Sequence, residues 1–201
     1  MSNRVRRGPA WAEVPFYNIE NQFWPDRKLM LGEAEAVRSI PGPGLTYIAD
    51  VEGTNVSIEW KLAQDHTPLL SKMLKNFQDT YGDLGSVSAK YFYIDAGSDY
   101  RYHVDNEWAD YYNTEGMDQK SLDLFRKKVS INCCINVVLT DDESECEFKD
   151  VGKFKYTAGV LNTSHMHRVK PDTTRILGRI SFSDAIYEEV VHRIRSVDKK
   201  R

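Results

Sequence analysis

Three kinds of segment are scarce or missing in this chain, and each gap excludes something. Cysteine is rare: Cys133, Cys134 and Cys146 are the only three among 201 residues. Three thiols make no even disulfide framework, so a cystine-stapled secreted scaffold is excluded. Cys133 and Cys134 are adjacent, and neighbouring strand residues point to opposite faces, which argues against a shared metal. Long apolar runs are also missing. None approaches the ~18 residues that a membrane span needs. The opening "MSNRVRRGPAWAEV" has charge but no apolar h-region, so a secretory leader is not expected. Finally, neither sign of charge dominates. There are 27 basic and 30 acidic residues, net -3, so no general pull toward nucleic acid is expected. The basic ends, "NRVRR" and "HRIRSVDKKR", read as solvated tails. Together these point to a cytoplasmic protein with reduced thiols, no membrane contact and no nucleic-acid partner.

What is present suffices for one folded domain. Hydrophobic residues make up 41% of the chain, enough for a core at this length. No internal repeat or low-complexity segment is visible. "TPLLSKMLKNFQDTYG" predicts a helix, with Thr67 as cap, Pro68 at the first position and Gly82 as stop. Its stripe of Leu70, Met73, Leu74, Phe77 and Tyr81 is core packing. "NVSIEWKL" alternates weakly and fits a strand. From about residue 87 the period shortens. "SVSAKYFYID", "DYRYHVDNEW", "VSINCCINVVLT", "CEFKD", "KFKYTAG", "VLNTSHMHRV" and "TRILGRISF" predict strands, with a short helix at "SLDLFRKK" and an acidic turn at "DDESE". A last helix, "SDAIYEEVVHRIRS", has Ser183 as its expected cap and Ile186, Val190 and Ile194 on one face. Closely spaced short strands argue for a sandwich or barrel, and the absence of βαβ alternation argues against a doubly wound sheet.

Chemistry concentrates in the β region. In "YRYHVDNEW", His103 and Asp105 stand two apart, and on a strand they project to one side. An imidazole and a carboxylate together suit Fe(II), Mn(II) or Zn(II). "TSHMHRV" adds His165 and His167. Two histidines and one carboxylate form the facial set of non-haem Fe(II) oxygenases, which leaves coordination positions open for a chelating co-substrate and O2. Arg175 opens the next strand. Its planar guanidinium suits a carboxylate, so the constellation suggests a dicarboxylate co-substrate. Arg179 has the same strand parity and competes for that role.

These stretches resemble the 2-oxoglutarate- and Fe(II)-dependent dioxygenase superfamily, in its prolyl-hydroxylase-like branch. "YIDAGSDYRYHVDN" resembles the family's tyrosine, glycine turn and H-x-D-N pattern. "VSINCCIN" resembles its central strand, and "HRVKPDTTR" its H-x-V-x-P…R hairpin. The resemblance covers roughly residues 88 to 182. It implies a mostly β fold with flanking helices and a double-stranded β-helix (jelly-roll, cupin-like) core. On that basis the chain divides into a basic tail (1–10), a helical or mixed support region (11–82), the catalytic core (83–182) and a C-terminal helix with tail (183–201), one domain overall. The metal ligands implied are His103, Asp105 and His167. His167 is favoured over His165 because Val169 and Pro171 follow it in the family's pattern, although His167 and Arg175 stand closer than is usual there. Arg175 is then the partner of the distal carboxylate of 2-oxoglutarate. Tyr93, ten positions before His103, is implied to bond the co-substrate, and Tyr100 to lie on the substrate side. Cys134 stands where the family often has a co-substrate tyrosine, with Asn132 or Asn136 as polar substitutes.

The activity implied is hydroxylation of a C–H bond in a peptide or small amino-acid substrate, most readily proline. Fe(II), 2-oxoglutarate and O2 are consumed or used, succinate and CO2 are released, and ascorbate assists. Asparaginyl or aspartyl hydroxylation is the nearest alternative. A non-catalytic, cupin-like binder of a metal or small ligand is the alternative of another class.

Overall fold

The computed structural model describes residues 14–40, 44–51, 54–62, 66–85, 87–98, 102–105, 118–119, 131–141 and 145–199, with the backbone alone at 44–51, 54–60 and 62. The expectations for "SLDLFRKK", the tip of "DDESE" and Tyr100 lie outside the described residues. Among the described residues there are ten strands: β1 (Phe16–Asn18), β2 (Gly44–Val51), β3 (Thr54–Leu62), β4 (Val87–Ile94), β5 (Cys133–Val138), β6 (Cys146–Phe148), β7 (Gly152–Phe154), β8 (Ala158–Leu161), β9 (His167–Val169) and β10 (Arg175–Phe182). Helices α1 (Arg27–Arg38), α2 (Pro68–Tyr81) and α3 (Tyr187–Asp198) accompany them among the described residues.

The strands form a seven-stranded antiparallel sheet, β1-β8-β5-β10-β4-β3-β2, and a three-stranded one, β7-β6-β9. After β4 the chain crosses to the small sheet at His103, returns for β5, and crosses again for β6 and β7. It returns for β8, crosses for β9 and returns for β10. This alternation is a double-stranded β-helix. Its interior cluster joins Cys134, Val138, Leu161 and Leu177 of the large sheet to Cys146 and Phe148 of the small one.

Strand β10 is buried along its whole length. Its alternation therefore separates two environments. Ile176, Ile180 and Phe182 join the outer core, beneath Met30 and Val37 of α1, Leu70, Met73 and Phe77 of α2, and Val190 and Ile194 of α3. Leu177 belongs to the interior cluster instead, and Arg175, Arg179 and Ser181 share its parity. At Gly178 the helices come close: an added Cβ would stand 3.1 Å from Met30 Cε and 3.2 Å from Met73 Sδ.

The segment expected to be a helical or mixed support does more than cover the core. It adds β2 and β3 beside β4, and β1 beside β8. Helix α1 has no clear signal in the sequence pattern; Asp26 caps it, accepting from the Lys28 and Leu29 amides. Helix α2 has the expected bounds and stripe, but the Thr67 side chain makes no capping bond. Glu33 of α1 caps it instead, accepting from the Leu69 and Leu70 amides at 2.8 and 3.0 Å, and from the Tyr91 hydroxyl at 2.6 Å. Helix α3 starts later than expected. Ile186 is its N-cap residue, exposed rather than on the buried face, and the Ser183 carbonyl accepts from Asn132.

One carboxylate thus joins α1, α2 and β4. Glu33→Ala is expected to lower stability by about 1–3 kcal/mol, because two helix-end amides and a buried hydroxyl lose their acceptor. Urea unfolding checks this; an unchanged midpoint would contradict the capping role.

Candidate metal centre

The centre begins with a backbone pairing. The His103 amide donates to the His167 carbonyl at 3.0 Å, and the His167 amide donates back at 2.9 Å. Residues that exchange both bonds across antiparallel segments place their side chains on one face. The imidazole centroids accordingly stand 4.5 Å apart. The region expected to be a strand, "DYRYHVDNEW", contributes only this isolated bridge at His103 among its described residues. Asp105 follows in a tight turn, its amide donating to the Thr163 carbonyl at 2.9 Å.

The turn brings the Asp105 carboxylate to the imidazoles. Oδ1 lies 3.6 Å from His103 Nε2 and 3.5 Å from His167 Nε2. One ligating atom from each of the three residues lies within 4.8 Å of the other two. Asp105 and His167 are 3% and 6% exposed. The His167 Nδ1 stands 2.8 Å from the His165 carbonyl, which can only accept. In the neutral ring Nδ1 then carries the proton, which leaves the Nε2 lone pair for a metal. This separates the rival histidines: the His165 side chain is exposed, and the residue serves through its carbonyl.

Packing holds the two ligand segments from both sides. The Phe148 ring lies 5.7 Å from that of His167. On the other face, Arg168 places Nε and Nη2 at 2.7 and 2.6 Å from Glu147 Oε2, and stacks 4.5 Å over the Tyr102 ring. The Tyr102 hydroxyl and Arg168 hold the Glu147 carboxyl below its ordinary pKa. The outward neighbours of His103 and His167 are thereby tied to each other across β6.

The interior around the triad is polar and mostly cationic. Arg179 Nη2 pairs with Asp105 Oδ2, and its guanidinium stacks 5.1 Å from the Phe92 ring. Burial pushes the Asp105 carboxyl up, but Arg179 and the two imidazoles outweigh it and hold the group well below the usual carboxylate range. Lys90 stands opposite Arg179 in the sheet register, and burial with that neighbour lowers its pKa to about 8. Arg175, 1% exposed, lies 5.2 Å from the Tyr156 ring. Asn136 donates to the Tyr156 hydroxyl at 3.2 Å and accepts from the Cys134 thiol at 3.5 Å. Burial pushes the Cys134 and Cys146 thiols up to about 11 and about 12, so both are protonated at neutral pH and are poor metal ligands.

Among the residues expected at the site, His103, Asp105 and His167 converge, while Arg175 and Cys134 face the same interior. Tyr93 does not. Its hydroxyl donates to the Ala34 carbonyl at 2.6 Å, and its ring belongs to the helix-covered core. The reason is strand parity: Tyr93 pairs with Ile176 of the outer face, whereas Phe92 pairs with Leu177 of the inner one. Tyr156 is the tyrosine beside Arg175, and nothing in "KFKYTAG" singles it out. Asn132 is also turned elsewhere, its amide donating to the Ser183 carbonyl at 2.8 Å. Asn136 takes the interior position beside Cys134.

No family model matches the chain, and no curated protein matches it. Solved structures do. A prolyl-4-hydroxylase from Pseudomonas putida aligns over 85% of this chain and 93% of its own, with TM-score 0.48 and 10% identity. An oxidoreductase of the 2OG-Fe(II) oxygenase family from Burkholderia pseudomallei aligns over 75% and 78%, with TM-score 0.40 and 13% identity. An ectoine synthase from P. lautus aligns over 72% and 75%, with TM-score 0.34 and 11% identity. At such values the chemistry of the site rests on this chain's own residues.

Those residues fit a divalent transition metal. Two imidazoles and a carboxylate are a borderline donor set, and three donors leave positions for exogenous ligands. The charge of Asp105 also matters to the metal-free fold. A carboxyl whose folded pKa is depressed contributes stability above its unfolded value, near 4, and loses it as pH falls through the folded value. Asp105→Asn is expected to cost about 3–5 kcal/mol at pH 7, because Arg179 stays buried without its counter-charge. The gap to wild type should narrow as pH falls from about 4 toward the folded value. Urea unfolding in chelator across pH tests this; an equal gap at every pH would contradict it.

Proposed function

We propose that this chain is a 2-oxoglutarate- and Fe(II)-dependent dioxygenase that hydroxylates a C–H bond, with a proline residue or free amino acid as the favoured substrate. One observation carries the reading. A His103, Asp105 and His167 cluster lies inside a double-stranded β-helix whose inward face also buries Arg175, a cation suited to a carboxylate. A plain metal binder has no need of that second element.

Each side chain has its own role in this scheme. His103 and His167 would hold iron through Nε2, with the His165 carbonyl keeping His167 in the required tautomer. Asp105 would supply the anionic donor. Arg175 would take the distal carboxylate of 2-oxoglutarate, and Tyr156, beside it, would serve as the co-substrate tyrosine that the sequence motif suggests for Tyr93. Phe92, Phe148 and Leu177 line the interior and exclude bulk water, which strengthens these charge interactions. Bound together, Fe(II), 2-oxoglutarate and O2 supply the oxidising power for C–H hydroxylation, with succinate and CO2 released and ascorbate keeping the metal reduced. Asparaginyl and aspartyl substrates fit the same chemistry.

Succinate formation from 2-oxoglutarate with Fe(II), ascorbate and O2 is the test. Wild type is expected to give a slow signal without added substrate, and His103→Ala none. Arg175→Met should raise the 2-oxoglutarate requirement about 10–100-fold, the loss of a charge-assisted pair. Absence of succinate together with absence of metal-dependent 2-oxoglutarate binding would transfer the chain to the cupin-like binders.

A further inference from the structure

The backbone of Asp105 does not decide which carboxylate oxygen meets the metal. Rotation about the last torsion of aspartate is broad and two-fold, so either oxygen, or both, can face the histidines unless something outside holds one. Among the described residues, Arg179 is that holder. Its Nη2 pairs with Oδ2, while Oδ1 is left 3.6 and 3.5 Å from the two Nε2 atoms. Arg179 is itself fixed. It sits mid-strand in β10, hydrogen-bonded into the sheet between Lys90 of β4 and Asn136 of β5, and is 7% exposed. A guanidinium has five donors and no acceptor, so it grips the carboxylate and cannot compete for the metal.

We propose that Arg179 is a positioning residue that confines Asp105 to one-oxygen ligation. The inference rests on the triad being a metal centre, and it deepens the reading above. With one oxygen from Asp105 the protein supplies three donors, and a six-coordinate metal keeps three positions; a chelating carboxylate would take a fourth. Those three positions are the ones a chelating co-substrate and O2 require. The two interior arginines therefore divide the work. Arg179 serves the metal ligand, and Arg175, four residues earlier on the same face, is the one suited to an exogenous carboxylate.

Anaerobic titration with Co(II), followed by visible absorption, tests this without turnover. Arg179→Met is expected to weaken Co(II) binding about 10–100-fold. Its d–d bands should also change, since Oδ2 is then free to turn toward the metal. Arg179→Lys keeps a single cationic donor and should recover part of both, and it carries the test if the methionine variant does not fold by circular dichroism. Ser181→Ala, buried on the same face of β10, should match wild type. The proposal is overturned if the Arg179 variants bind Co(II) with wild-type affinity and spectrum, if Ser181→Ala weakens binding equally, or if wild type binds no Co(II). Adding 2-oxoglutarate to the Co(II) form separates the two ideas. Unchanged bands would refute the dioxygenase reading and leave the effect of Arg179 standing.

Discussion

The reciprocal pair of backbone hydrogen bonds between His103 and His167 is the constraint on which the rest of the site depends. It joins two segments far apart in sequence and closes the double-stranded β-helix at the point where chemistry is placed. Strand geometry then puts both imidazoles on one side at a separation a single ion can bridge. Everything else refines this. The turn at Asp105 adds the charge, the His165 carbonyl sets a tautomer, and Arg179 orients an oxygen.

The site is costly to the fold. Lys90, Asp105, Arg175 and Arg179 are buried together, and removing charges from water costs several kcal/mol each after relaxation. A jelly roll selected for stability alone would fill this space with aliphatic groups. The cost is offset on the other side of the large sheet, where three helices cover an apolar core running from Met30 to Ile194. Strand β10 belongs to both environments. Its outward residues anchor the helices and its inward residues carry the charges, so the source of stability and the site that draws on it are one residue apart.

Strand parity explains both what can be read from the sequence and what cannot. The H-x-D pair and the later histidine are legible as a donor set, although a turn and not strand parity brings Asp105 to the imidazoles, and the family's motif chooses between His165 and His167. Parity says which residues share a face, but not which face is inward. "KYFYID" carries aromatics at both parities, so nothing in one dimension turns Tyr93 away from the interior that Phe92 and Lys90 occupy. "VLNTSHMHRV" reads as one strand, yet Asn162 accepts from the Ser164 amide through its side chain and breaks it into β8 and β9. Thr67 has the right chemistry for a cap, but Glu33, remote in sequence, fills the position. Arg175 and Arg179 are equivalent in one dimension. Only the three-dimensional position of Asp105 assigns them different partners.

The bracket formed by Tyr102, Arg168 and Glu147 has a consequence for motion. Small sheets at a barrel mouth breathe, and a site built across two segments would normally widen and narrow as they do. Here the residues flanking each histidine are gripped from the solvent side and paired through the backbone from within. A fluctuation that displaces one imidazole must carry the other with it. The spacing of the two imidazoles is therefore fixed twice over, by the backbone pairing within and by the bracket on the solvent side.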